Sequence, residues 1–172
     1  RRFGAVGFNQ NAVDLALAHV DLAGAVRMPQ QRMDLAELLH PVELAELLHR
    51  DGDPVVVLHG RAELGPRALG HRSIIAPATS AANKDVLNRV KLREWYRPVA
   101  PICLESRAHG IFDPGTRDPY MLFEHQVRPE WTDRIPAVVH ADGSARLQTV
   151  AADDPVTYQL LTEYERLSGI PV

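Results

Sequence analysis

Gly60-Arg61-Ala62-Glu63-Leu64-Gly65-Pro66-Arg67-Ala68-Leu69-Gly70-His71-Arg72-Ser73 places three arginines and a serine among three glycines and a proline. Glycine lets a backbone turn sharply and come close to a ligand. Guanidinium groups grip phosphate or carboxylate oxygens with a planar fork of N–H donors. This composition predicts an anion site, with Arg67 and Arg72 on phosphate oxygens, Ser73 as a hydroxyl donor and Gly65 admitting the ligand. Two structural readings stay open beside it: an arginine paired with Glu63, and Ser73 capping a strand end. A second basic segment follows. The chain carries 19 Lys+Arg, yet its two lysines, Lys84 and Lys91, fall in the single stretch Asn83–Glu94. Arginine cannot replace lysine as a compact point charge. Lys91 is therefore a candidate for neutralising a phosphate, and Lys84 reads as a solvated surface residue. Arg93 and Arg97 are weaker candidates, with Glu94 a partner for one of them.

The elements that must position these groups can be read around them. Val55–Leu58 is a strand running into the glycine-rich loop, and Ser73–Ala76 is a second strand leaving it. Pro41 suits the first turn of a helix, and Val42, Leu44, Ala45, Leu47 and Leu48 give that helix an apolar face. Asp51-Gly52-Asp53-Pro54 ends it. Ala81–Val90 has helical spacing, with Val86, Leu87 and Val90 on one side. Arg97–Pro101 must be extended, because residues before proline avoid the helical region. Asp113–Pro119 reads as a surface turn. Tyr120–Phe123 and Ala137–His140 read as strands, and Ala141-Asp142-Gly143-Ser144 as a tight hairpin turn. Ala145–Val150 is then the returning strand, with Arg146 and Gln148 on one face. His140 and Asp142 belong to turn chemistry. Val156–Ser168 is a closing helix capped by Gly169. Nearer the start, Asn11–His19 reads as a short helix and Met28–Gln31 as a loop. Strands and helices mix without regular alternation, which predicts an α+β fold with a mixed twisted sheet.

Composition narrows the function. The net charge of −3 gives no general attraction to nucleic acid or anionic membrane, so an anion site must be local. No apolar run approaches the roughly 20 residues that span a bilayer. A single cysteine, Cys103, excludes an internal disulfide framework and agrees with a cytoplasmic setting. It lies in the apolar run Val99–Leu104 and reads as a buried small hydrophobe. No CxxC or HxxxH spacing occurs and the histidines are scattered, so no zinc site is expected. Trp95, Tyr96 and Trp131 read as core or interface aromatics. The lack of an initiator Met and the final Gly169-Ile170-Pro171-Val172 read as a piece of a longer protein.

Taken in order, Gly60–Ile74, Leu87–Glu94 with Arg97–Pro101, Ile135–Val150 and Gly169–Val172 resemble the C-terminal domain of the NodU/CmcH-type O-carbamoyltransferases. The resemblance runs from residue 42 to the end; residues 1–41 match poorly and stand as a linker or the start of the domain. It implies a YrdC-like twisted mixed sheet with flanking helices and a concave basic face. It further implies formation of carbamoyl-adenylate from carbamoyl phosphate and ATP with Mg²⁺. The carbamoyl group then passes to a hydroxyl of a small molecule or natural product, held by an actin-like N-terminal domain that carries its own iron-type metal. On this resemblance Lys91, Arg67 and Arg146 are catalytic, and Arg72, Ser73, Gly65 and Arg97 bind the nucleotide; no metal ligand is assigned in this chain. Leu64, His71 and Leu92 depart from the family's usual aromatic, Asn and Phe. Two other readings compete: a non-catalytic YrdC-like module for nucleotide or RNA, which the net charge disfavours, and a threonylcarbamoyl-adenylate synthase.

Overall fold

The computed structural model describes residues 40–172. The expected helix at 11–19, the loop at 28–31 and most of the poorly matched segment lie outside these residues. The first element is α1 (Pro41–Asp51), opened by a cap in which the His40 ring accepts the Val42 N–H and the Glu43 carboxylate accepts the His40 N–H, and closed by Gly52 in the left-handed region. β1 (Val55–Leu58) and β2 (Arg72–Ile75) pair antiparallel, Leu58 opposite Arg72. α2 (Ala81–Val90) follows. Then come β3 (Ile102–Leu104), α3 (Glu105–Ile111), β4 (Phe112–Asp113) and β5 (His125–Val127). α4 (Pro129–Thr132), β6 (Ser144–Ala145), β7 (Gln148–Val150) and α5 (Pro155–Ser168) complete the order. Gly169 caps α5 with φ 71°.

The class is α+β, and the strands fall into three small sheets: β1–β2, a parallel pair β3–β7, and β4–β5–β6. α1 packs on α5. Leu44, Ala45, Leu48, Leu160 and Tyr164 at that seam join Val57, Ile111, Phe112, Ile135 and Leu147 in one apolar core. Ile170 and Val172 are buried in the same core. Cys103 is fully buried, as expected of a small hydrophobe, and burial pushes its thiol up to about 12.

Five sequence expectations are corrected, each for a visible reason. Tyr120–Phe123 is not a strand. The buried Asp118 carboxylate accepts the N–H groups of Leu122 and Phe123 at 2.9 and 2.8 Å, which bends the chain and leaves Tyr120, Leu122 and Phe123 exposed. Asp118 also makes the expected surface turn only partly a surface. Its backbone N–H donates to Thr149 Oγ1 at 2.8 Å, and Gly115 is buried beside it. Ala137–His140 is a turn: the Ala137 N–H donates to the Ala78 carbonyl and both Ala137 and Val138 are buried, so no face alternates. The turn at 141–143 does form, but its partner strand is β5, through Val127 N–H to Gly143 O. Finally, 145–150 is broken at Arg146–Leu147 into β6 and β7, which belong to different sheets. Leu147 to Val150 are all buried, a pattern that two-sided packing produces and alternation cannot.

Gly115 shows how tightly the 113–118 segment is held. Its φ is +60°, and a Cβ there would stand 2.6 Å from the carbonyl oxygens of both Ala108 and Phe112. Its N–H donates to Nδ1 of the buried His125, whose Nε2 therefore carries the proton and faces Asp118 at 3.6 Å. Gly115→Ala is expected to destabilise the fold by more than about 2 kcal/mol, since strained backbone and overpacking act together. A urea unfolding midpoint equal to that of the parent chain would contradict this packing.

Candidate functional site: a cinched arginine loop and an unpaired lysine

The loop between β1 and β2 is shaped by two opposite charges that never touch each other. Glu63 Oε1 accepts the backbone N–H groups of Leu69, His71 and Arg72 at 2.7, 2.8 and 3.2 Å. The Arg72 guanidinium donates to the carbonyls of His59, His71 and Gly60 at 2.8, 2.8 and 2.9 Å. The carboxylate gathers the donors of the turn and the guanidinium gathers its acceptors. Ser73 Oγ accepts the Gly70 N–H at 2.9 Å. Gly65 holds φ 130° near the tip, a backbone that side chains rarely adopt. Gln148 of β7 donates to Leu69 O at 2.8 Å, which fastens the loop to the core.

This geometry separates the arginines by role. Arg72 is half-buried and tied to three carbonyls, so it builds the loop; it does not pair with Glu63. Ser73 likewise closes the loop. Arg67 is half-buried, and none of the ion pairs among the described residues involves it.

The second basic segment is organised by a residue that the helical pattern did not single out. Asn88 is 2% exposed; its side-chain amide donates to the carbonyls of Trp95 and Arg97 at 2.9 and 3.0 Å and accepts from Arg93 Nε at 2.6 Å. Asn83 is also buried, whereas Val86 and Val90 are only half-buried, so the inner face of α2 is more polar than its valines suggest. The signal was available: two asparagines recur at five-residue spacing on a helix otherwise poor in caps. Lys91 caps the end of α2 with its backbone N–H on the Leu87 and Arg89 carbonyls. Its ammonium has no ion-pair partner among the described residues, and burial first, then the Arg93 charge, push its pKa below the ordinary lysine value. Arg97 pairs with Glu94 at 2.7 Å on the surface. Trp95 and Tyr96 meet edge to face at 5.9 Å but are exposed, and so are not core. Trp131 is half-buried under the Arg134 guanidinium.

Arg146 stands in the break between β6 and β7, exposed, with Glu124 Oε1 at 3.9 Å; it does not share the buried environment of Gln148. Its charge and that of Lys84 reach His140. Burial is the largest cause lowering the His140 pKa, with Arg146 and Lys84 opposing Asp142 and Glu124. Asp142 accepts from the Ser144 hydroxyl at 2.7 Å, so Ser144 Oγ accepts from His140 Nδ1 at 3.0 Å, and the buried Nε2 is an unpartnered acceptor. Lys84 is half-buried, not freely solvated, and lies seven positions before Lys91 on the same helical stripe, roughly 10 Å along the axis. No bond joins Arg67, Lys91 and Arg146, and the open surface hollows beside Leu48 and Tyr164 and beside Trp131 and Glu165 include none of them.

A loop fixed by Glu63 and Arg72 and a helix end that carries a desolvated lysine offer groups of the kind that can take an anion. The chain belongs to the carbamoyltransferase C-terminus family, which it matches over residues 45–172. It is 64% identical over 132 residues to nodulation protein U of Rhizobium tropici, covering 76% of this chain and 23% of that protein. It is 44% identical over 122 residues to the 3'-hydroxymethylcephem-O-carbamoyltransferase of Streptomyces clavuligerus, covering 70% of this chain and 23% of that enzyme. Nodulation protein NolNO of Sinorhizobium fredii is 42% identical over 127 residues. The chain thus spans about a fifth to a quarter of the length of these relatives. Among the described residues no helix is long and apolar enough to cross a membrane.

Burial alone would raise the Glu63 pKa, but its backbone hydrogen bonds outweigh that and hold it below the usual carboxylate value. A carboxylate with a depressed folded pKa stabilises above its unfolded value and loses that contribution as pH falls through the folded one. The amide signals of Leu69, His71 and Arg72 should therefore titrate together with a midpoint below the ordinary glutamate value, and Glu63→Gln should abolish the shared titration. Independent titrations would dissolve the cinch.

Proposed function

We propose that this chain is the carbamoyl-adenylate-forming part of an O-carbamoyltransferase acting on a hydroxyl of a small molecule. The observation that carries the reading is Lys91: a lysine ammonium that is desolvated, crowded by Arg93 and, among the described residues, given no carboxylate partner is poised for an anion. The family match and the carbamoyltransferase named among the relatives supply the carbamoyl chemistry. The nucleotide would lie on the concave basic face of a YrdC-like domain.

The chemistry asks little of the protein besides positive charge in fixed places. Water must first release phosphate from carbamoyl phosphate. The freed carbamate oxygen then attacks the α-phosphorus of ATP, and pyrophosphate leaves. Lys91 would stabilise charge at the α-phosphate or the carbamoyl oxygen. Arg67, held out by the Glu63–Arg72 cinch, would take phosphate oxygens of the leaving side. Arg146 and Lys84 would extend the positive stripe, and the lone pair of His140 Nε2 would accept a donor from the nucleotide or its water. Arg72, Ser73 and Gly65 serve by holding the loop, and Arg97 by shaping the turn after Lys91. Mg²⁺ would arrive on the phosphates of ATP, because the nominated groups are cationic and offer it no carboxylate. The acceptor alcohol would bind in the larger remainder of the protein, as an actin-like domain in the family pattern.

Lys91→Ala should cut carbamoyl-phosphate-dependent exchange of labelled pyrophosphate into ATP by the full-length enzyme about 100-fold or more, while the unfolding midpoint changes little. Unchanged exchange would remove Lys91 from the reaction. Arg146→Ala should weaken ATP binding measured by calorimetry about 10-fold, and parent-like affinity would place it outside the site. The 172-residue chain alone should transfer almost no carbamoyl group to an alcohol; robust product formation would contradict the division of labour.

A further inference from the structure

Three side chains with no part in the proposed reaction meet at the base of the arginine loop. His59 leaves β1, His71 enters β2, and Asp154 is the N-cap of α5. One ligand atom from each lies within 4.8 Å of the other two. The imidazole rings of His59 and His71 stand 5.0 Å apart, and His71 Nε2 is 3.6 Å from Asp154 Oδ2. All three residues are half-buried, so an ion could reach them. We propose that His59, His71 and Asp154 bind one zinc-class divalent cation that staples the arginine loop to the start of α5.

The donor set selects the class of ion. Two imidazoles and one carboxylate suit Zn²⁺ and its first-row neighbours; Mg²⁺ and Ca²⁺ want oxygen throughout. Ligands at about 2.0–2.1 Å from a tetrahedral zinc stand roughly 3.4 Å from one another. The His71–Asp154 separation already has nearly that span, and a turn of the His59 ring closes the remainder. The outer shell is in place as well. His71 Nδ1 donates to the Arg61 carbonyl at 3.2 Å, which leaves Nε2 as the lone pair facing Asp154. Asp154 Oδ1 accepts the Thr157 N–H at 3.3 Å, which leaves Oδ2 facing His71. Such partners fix a ligand's tautomer and direction. Gly70 permits the approach: a Cβ there would meet Thr157 Oγ1 at 3.0 Å and Asp154 Oδ2 at 3.9 Å, at a φ of +108°. With three protein ligands, a fourth position is left for water.

The spacing rules that find zinc sites did not find this one, since its ligands come from two strand ends and a distant helix cap. The expectation of no zinc site rested on local motifs alone.

The test uses the tag-free chain, stripped with a chelator and titrated with Zn²⁺ against a chromophoric competitor. One equivalent should bind, Co²⁺ should give a visible ligand-field spectrum, and Zn²⁺ should raise the melting temperature. Asp154→Asn keeps a competent helix cap and should weaken Zn²⁺ at least 10-fold, as should His71→Asn; His109→Asn, at an exposed histidine, should not. X-ray absorption of the zinc complex of the parent chain reads the ligands without any variant, and two imidazoles with light oxygen or nitrogen neighbours are expected. Less than one equivalent bound, parent-like affinity in both variants, or sulfur at the metal would overturn the proposal.

Discussion

The loop that carries Arg67 exists because a carboxylate and a guanidinium divide its backbone between them. Glu63 takes N–H groups and Arg72 takes carbonyls, so a turn rich in glycine has its polar groups satisfied from within. Hydrogen bonds to charged partners are stronger than neutral ones, and six of them on one turn replace the rigidity that glycine removes. The arginines are thus not equivalent. Arg72 makes the scaffold, and Arg67 is what the scaffold displays.

Lys91 is placed by a different device. Buried Asn88 holds both sides of the turn after α2, fixing Trp95, Arg97 and Arg93 around the helix end. Arg93 thereby becomes a fixed neighbour that raises the local positive potential at Lys91. Two cations are thus held close at the helix end, with Glu94 acting on Arg93. The interior and the site are also joined directly: Gln148, on a strand buried on both faces, holds Leu69 of the loop.

Much of the frame could be read in the sequence because it obeys local rules. α1, α2, α5 and the β1–β2 pair follow from periodicity, proline at a first turn and glycine at a cap. The misread segments are those where one side chain overrides local preference. Tyr120–Phe123 has strand composition, but the Asp118 carboxylate takes its N–H groups. Residues 145–150 read as one strand, but their two halves find partners in different sheets. The family resemblance rested on ordered motifs and was right because such motifs survive these local deceptions. Arg72, chosen for its chemistry, turned out to hold the loop, since composition cannot tell a displayed guanidinium from an internal one. Asn88 and the meeting of His59, His71 and Asp154 depend on tertiary proximity, which spacing along the chain does not encode.

Gly70 couples two parts of the molecule by what it lacks. The absent methyl lets the loop lie against the first turn of α5, the helix whose far end packs with Ile170 and Val172 in the core. Length changes in the loop are consequently constrained from outside it: an inserted residue would have to lift the whole turn off the helix. Variation among proteins built this way should therefore concentrate at the fully exposed Leu64 apex, where the turn touches nothing.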